Sequence, residues 1–254
     1  MHGAEGAEPA AERDGARRTE ALPAGAVSIV IPCYNEEATI AEILRRVQAV
    51  EIGAREVIVV DDGSTDGTRA LLQGELAALH DRLILRPRNG GKGAALVEGF
   101  AAARGDLVVV QDADLEYHPD DYPALLEPLR RHGADVVYGS RFVASNSHRV
   151  LYYWHSLANR WLTLFSNMMT NLNLTDMATG AKAFRREALQ GLRLKERGFG
   201  IEPELTARLA QRRLVFYEVG VSYHGRTYAE GKKIGWRDAF RYLWVILRCR
   251  LTRG

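Results

Sequence analysis

Four short runs of Val, Ile and Leu, at Val27–Ile31, Val57–Val60, Leu83–Leu85 and Leu107–Val110, alternate with helix-like stretches through the first half of this chain. A strand that is apolar at every position has no solvent face, so it must be buried on both sides. Runs of this kind separated by helices predict an α/β fold, a Rossmann-like and mostly parallel sheet with helices on both faces. The spacing predicts helices over 36–50, with Ile40, Ile43, Leu44 and Val47 on one face, and over 67–79 and 93–103. Open sheets of this type bind ligands at the carboxyl ends of their strands.

The loops expected at those ends are polar. They read Pro32-Cys33-Tyr34-Asn35-Glu36-Glu37, Asp61-Asp62-Gly63-Ser64-Thr65-Asp66-Gly67 and Pro87-Arg88-Asn89-Gly90-Gly91-Lys92-Gly93. The fourth, Gln111-Asp112-Ala113-Asp114-Leu115-Glu116, alternates three carboxylates directly after an apolar strand. Closely spaced oxygen donors suit a hard divalent cation such as Mg²⁺ or Mn²⁺. Each loop alone is ordinary turn and cap chemistry; four on one sheet edge predict a site. The Gly-x-Gly-x-x-Gly and Gly-x-x-x-x-Gly-Lys-Ser/Thr patterns are missing from the sequence, which disfavours dinucleotide oxidoreductases and P-loop NTPases.

Beyond residue 150 the pattern turns helical, with helices expected over 151–172, from near Glu202 to Arg212, and over 235–251, and a strand through Val215, Tyr217, Val219 and Val221. The first of these helices shows Trp154, Trp161, Leu162, Phe165, Met168 and Met169 along a broad face; the last shows Phe240, Leu243, Trp244, Leu247 and Leu251, with Arg241 and Arg248 towards the other side. Periodicity does not separate helices packed on the sheet from helices lying in a membrane interface. No apolar run is long enough to span a bilayer. The formal net charge is only +2, so no global nucleic-acid signature exists, yet Arg226, Lys232, Lys233, Arg237, Arg241, Arg248, Arg250 and Arg253 crowd the last thirty residues. The two cysteines, Cys33 and Cys249, form no disulfide or zinc pattern and fit a reducing compartment. Residues 1–24 are expected to be a disordered leader, 25–234 the globular domain and 235–254 a basic amphipathic helix.

Taken in order, these motifs resemble the family 2 inverting glycosyltransferases of GT-A fold, and most of all the dolichyl-phosphate mannose synthases and polyprenyl-phosphate glucosyltransferases. The resemblance runs over roughly 27–240. It implies that Pro32, Tyr34 and Glu36 line a base and ribose pocket, and that Val60 and Asp62 meet the base. It implies that Asp112-Ala113-Asp114 is the metal signature, with Glu116 standing where the family often has Gln and adding one negative charge. Arg141, in Gly139-Ser140-Arg141, is implied to approach phosphates. Arg226 and Lys232, in Arg226-Thr227-Tyr228-Ala229-Glu230-Gly231-Lys232, resemble a phosphate clamp on a mobile loop, with departures at two positions.

The activity so implied is transfer of a hexose from a GDP-mannose or UDP-glucose type donor to polyprenyl phosphate. Mg²⁺ or Mn²⁺ would be held by Asp112, Asp114 and Glu116. A phosphate acceptor is already anionic and needs no strong base; Asp176 and Glu202 are spare acids whose ordinary reading is structural. The alternatives are the same chemistry on a saccharide and a silent GT-A-like binding protein. The expected location is cytoplasmic, peripheral at the membrane's cytoplasmic face, directly or through a membrane partner.

Overall fold

The structure, a computed structural model, describes residues 21–143, 152–225 and 236–252. The chain runs β1 (Val27–Cys33), α1 (Ile40–Ala49), β2 (Arg55–Asp61), α2 (Thr68–Gln73), β3 (Arg82–Leu85), α3 (Lys92–Ala102), β4 (Leu107–Val110), α4 (Tyr122–Arg131) and β5 (Val136–Ser140). It continues with α5 (Tyr153–Thr170), β6 (Lys182–Arg185), α6 (Arg186–Leu189), α7 (Ile201–Ala210), β7 (Phe216–Gly220) and α8 (Trp236–Leu251).

The strands form one seven-stranded sheet in the order β3-β2-β1-β4-β6-β5-β7. Only β6 runs antiparallel, to β4 on one side and β5 on the other. Alternation along the strands builds two cores. Val27, Ile29, Ile31, Val57 and Val59 face Ile40, Ile43, Leu44 and Val47 of α1 and Leu125, Leu126 and Leu129 of α4. Val30, Ile58, Val60, Val108 and Val110 face Ala95 and Leu96 of α3 and Ile201, Leu205 and Leu209 of α7. Burying each such side chain contributes roughly 1.5–3 kcal/mol before chain entropy is counted.

The sheet and the helices on both faces match the sequence expectation, with differences that have local causes. The helix expected over 36–50 starts only at Ile40, because Asn35 turns left-handed at φ 52° and Glu36–Thr39 form a turn. The helix expected over 67–79 stops at Gly74, whose N–H caps Ala70, and resumes as one 3₁₀ turn at Ala77–Leu79. Periodicity did not mark α4, β5 or β6: β6 is four residues with Lys182 and Arg185 at its ends.

The late helices, whose apolar faces periodicity leaves open between the sheet and a membrane interface, divide those residues between inside and outside. On α8 the buried residues are Tyr242, Val245, Ile246 and Cys249, whereas Phe240, Trp244, Leu247 and Leu251 are exposed. On α5, Leu162, Phe165 and Met169 pack inward, and Trp154, Trp161, Leu164 and Met168 point out. No described helix is long and apolar enough to cross a membrane.

Candidate active site

The loops after β1 to β4 meet around a cavity of about 250 Å³. It is lined by Pro32, Cys33, Tyr34 and Glu36, by Asp62, by Asn89, Gly91 and Lys92, and by Asp112, Ala113 and Asp114. Gly198 and Phe199, just before α7, complete the wall. Seven residues singled out from sequence therefore come together: Pro32, Tyr34, Glu36, Asp62, Asp112, Ala113 and Asp114.

Close backbone packing holds these loops. Asp62 accepts from the Gly90 and Gly91 amides at 2.9 and 2.6 Å and pairs with Arg86, so its carboxylate pins the loop after β3. Gly63, at φ +76°, lies so near that loop that a Cβ would stand 2.5 Å from the Arg88 carbonyl carbon. The acidic turn is held by Gln111, which is buried: its amide donates to the Asp112 and Tyr117 carbonyls, and its oxygen accepts from Tyr122 at 2.8 Å. Leu115 sits left-handed at φ 62°, a conformation that costs a bulky residue roughly 1–2 kcal/mol and tends to persist at functional turns.

Charge is arranged as a buried chain. Lys92 Nζ lies 2.7 Å from Asp112 Oδ1 and 3.0 Å from Glu202 Oε1. Glu202 Oε2 in turn pairs with Lys182, whose ammonium also donates to the Thr179 carbonyl and lies over the Tyr138 ring. Burial would raise the Glu202 carboxyl, but the two lysines outweigh it and hold it at about 2. Burial also opposes charge on Lys92, and Asp112 and Glu202 overcome it, raising its pKa well above the usual lysine value. On Lys182 burial prevails and the pKa is lowered. Glu202 thus sits in the first turn of α7, but its carboxylate serves this chain rather than a cap.

Some expected site residues stand elsewhere. Val60 is fully buried in the sheet core under α3 and does not line the cavity. Glu116 accepts from the Tyr223 hydroxyl at 3.0 Å and is not a lining residue, so the three carboxylates do not converge as one set. Among the described residues, no three His, Cys, Asp or Glu side chains gather to hold a metal ion. Asp112 and Asp114 still suit one, since Mg²⁺ is commonly held by one or two carboxylates together with substrate phosphates. Arg141 also lies off the cavity lining; its Nε and Nη2 donate to Asp176 at 2.6 and 2.7 Å, and burial is outweighed by that carboxylate, raising its pKa. Asp176, fully buried, also accepts from Asn159. Arg226 and Lys232 lie outside the described residues.

The profile of glycosyl transferase family 2 matches residues 28–193. The chain belongs to this family. Among its family relatives is the undecaprenyl-phosphate 4-deoxy-4-formamido-L-arabinose transferase of Pseudomonas aeruginosa, 36% identical over 83% of this chain and 61% of the relative. Another is the dolichol-phosphate mannosyltransferase of Pyrococcus furiosus, 30% identical over 90% of this chain and 64% of the relative. The chain thus spans somewhat under two thirds of the length of these relatives. The glucosyl-3-phosphoglycerate synthase of Mycobacterium tuberculosis, solved with Mn²⁺, uridine diphosphate and phosphoglyceric acid, superposes with a TM-score of 0.69. It is 26% identical and the match covers 90% of this chain and 79% of that one. The fold is GT-A, as expected.

Lys92, Lys182, Glu202 and Gln111 are among the site residues that sequence reasoning did not assign, as are Gly198 and Phe199 of the wall. Lys92 carried a signal, a cation flanked by glycines in a loop at a strand end. The pairing of Lys182 with Glu202 carried none, because it joins β6 to α7 across twenty residues.

Proposed function

We propose that the chain is an inverting glycosyltransferase that moves a hexose from a nucleoside-diphosphate sugar to polyprenyl phosphate. The observation that carries this reading is the cavity in which the four strand-end loops place Asp112, Asp114 and Lys92 together. Two relatives named for transfer to undecaprenyl and dolichol phosphate support the acceptor class.

In this reading Pro32, Tyr34 and Glu36 receive the base and ribose, and Asp62 shapes that pocket by fixing the loop after β3. Asp112 and Asp114 would hold Mg²⁺ or Mn²⁺, which when bound neutralises charge on the departing diphosphate. Lys92 supplies a fixed positive charge beside the same phosphates, in a site where solvent screening is weak. Arg226 and Lys232 would bring further positive charge to donor and acceptor phosphates, a planar arginine fork meeting two phosphate oxygens at once, whereas the fork of Arg141 is already held by Asp176. The acceptor phosphate attacks the anomeric carbon as an anion, so no residue has to remove a proton.

The exposed aromatic and aliphatic ridge of α5 and α8, with Trp154, Trp161, Phe240 and Trp244, favours a lipid-borne acceptor met at a membrane surface. In this reading the chain is a peripheral protein at the cytoplasmic face of the membrane. A second reading, a soluble acceptor, is favoured by the likeness to a synthase solved with phosphoglyceric acid.

The deciding experiment supplies Mg²⁺ or Mn²⁺, a short polyprenyl phosphate and either labelled GDP-mannose or UDP-glucose, then follows label into the organic phase. Transfer from one donor establishes the lipid acceptor and names the sugar. Donor turnover with product wholly aqueous moves the assignment to a soluble acceptor.

A further inference from the structure

Gly198 and Phe199 wall the cavity, yet the segment that carries them belongs to no strand. Its inner side is pressed on the start of α3: the Ala94 amide, which donates to the Gly91 carbonyl at 2.9 Å, also donates to the Arg197 carbonyl at 3.0 Å. A Cβ on Gly91 would stand 2.6 Å from that same carbonyl oxygen, so the wall lies as close as a glycine permits.

The outer side is held by charge. Glu196, 2% exposed, accepts from Arg241 Nε and Arg248 Nη1, each at 2.8 Å, both on α8. Gly200 leaves room for this carboxylate, since a Cβ there would stand 2.5 Å from Glu196 Oε2. Glu204, fully buried, accepts from the Lys195 and Glu196 amides at 2.7 and 2.6 Å and from Arg248 Nη2 at 2.7 Å. Two buried carboxylates and two guanidinium groups thus close on the stretch preceding the wall. Glu196 itself is not a lining residue.

Burying ion pairs is a poor route to stability, since desolvation cancels most of the attraction; what such pairs fix is geometry. Helix α8 already has Tyr242, Val245, Ile246 and Cys249 for anchorage. We propose that Glu196 is a positioning residue: clasped by Arg241 and Arg248, it seats the Arg197–Phe199 wall against α3 and sets the width of the donor cavity. The function of the clasp rests on the nucleotide-sugar reading of that cavity. The seating of the wall does not.

The test compares full-length Arg241→Ala, Arg241→Lys and Glu196→Gln with the wild type. Arg241 is 58% exposed at its side chain and, among the described residues, pairs with Glu196 alone, so Arg241→Ala leaves Arg248 on the carboxylate and the fold intact. Hydrogen exchange at the Ala94 amide, read against that of Ala95, which donates to the same Gly91 carbonyl, reports the seating of the wall. Calorimetric titration with UDP and with GDP, each with Mn²⁺, reports the cavity. The expected result is faster exchange at Ala94 and roughly fivefold or more weaker nucleotide binding in Arg241→Ala and Glu196→Gln, with Arg241→Lys close to wild type. Unchanged exchange in both variants overturns the clasp. Faster exchange with unchanged nucleotide affinity overturns its role in the cavity. A wild type that binds neither nucleotide refutes the donor reading, while exchange at Ala94 still decides the clasp.

Discussion

Lys92 Nζ lies 2.7 Å from Asp112 Oδ1, so the first aspartate of the acidic turn already carries a cation supplied by the chain. Held also by Glu202 at 3.0 Å, that ammonium stands fixed beside the place the phosphates of the proposed donor would take. Lys92→Met should therefore lower kcat/KM by about 10²-fold, the order seen when one preorganised charge partner of a transition state is removed. Lys92→Arg should keep more activity than Lys92→Met. Steady-state kinetics check this; wild-type values in Lys92→Met would reduce Lys92 to a space-filling role.

The acidic turn splits into unequal parts, because Asp114 lines the cavity and Glu116 faces Tyr223. Asp114→Ala should abolish turnover. Glu116→Gln, which keeps an acceptor for the Tyr223 hydroxyl, should stay within about threefold of wild type, as a substitution away from the reacting charge does. Mn²⁺ titrations of activity test both. Equal losses would restore Glu116 to the metal set.

Which parts of this molecule were legible in the sequence follows from the range of the interactions. Strands β1, β2 and β4 could be read because burial on both faces leaves an unbroken Val/Ile/Leu run. The strand-end loops could be read because Asp, Asn and Gly cluster where backbone must turn tightly, as at Gly63 and Gly91. Strand β6 could not, since its Lys182 is buried only by virtue of Glu202, twenty residues on. Which face of α8 packs inward was not legible for the same reason: Arg241 and Arg248 look like solvent residues until Glu196 and Glu204 are placed beneath them. The direction of Val60 was not legible in a run apolar at every position; alternation along β2 turns its side chain to the core.

Glu202 gives the chain a pH signature. Its folded carboxyl sits at about 2 against an ordinary 4.5; burial acts upward, and Lys182 and Lys92 overcome it. A folded pKa below the unfolded one means the stabilisation is complete above about pH 4.5 and is lost as pH falls towards 2. Glu202→Gln should flatten the loss of stability in that window. At neutral pH it should cost a few kcal/mol, about the penalty for stranding a buried ammonium. Denaturant unfolding between pH 2 and neutrality measures both; parallel curves for variant and wild type would contradict the assignment.

Arg226 and Lys232 carry the phosphate-clamp reading by motif alone. Lys232→Ala should lower kcat by about tenfold or more while far-ultraviolet dichroism and the unfolding midpoint stay put, since a charge that meets only substrate phosphates adds little to folding. Full activity in Lys232→Ala would remove the clamp from the scheme and leave Lys92 as the chain's main counter-charge.

The ridge of α5 and α8 separates the lipid acceptor from the soluble one. Trp161 and Phe240 are 63% and 66% exposed, large apolar side chains that water disfavours and that a headgroup boundary accommodates. Binding to a bilayer scales with the apolar area inserted, so a charge at either position should act directly on partition. The double substitution Trp161→Glu and Phe240→Glu should reduce co-sedimentation with anionic vesicles by about tenfold or more. Because neither residue lines the cavity, affinity for nucleotide with Mn²⁺ should not change. Transfer to vesicle-borne polyprenyl phosphate should then fall while transfer to a short, water-soluble analogue persists. Unaltered sedimentation would take the ridge away from the membrane and, with it, the structural support for a lipid acceptor.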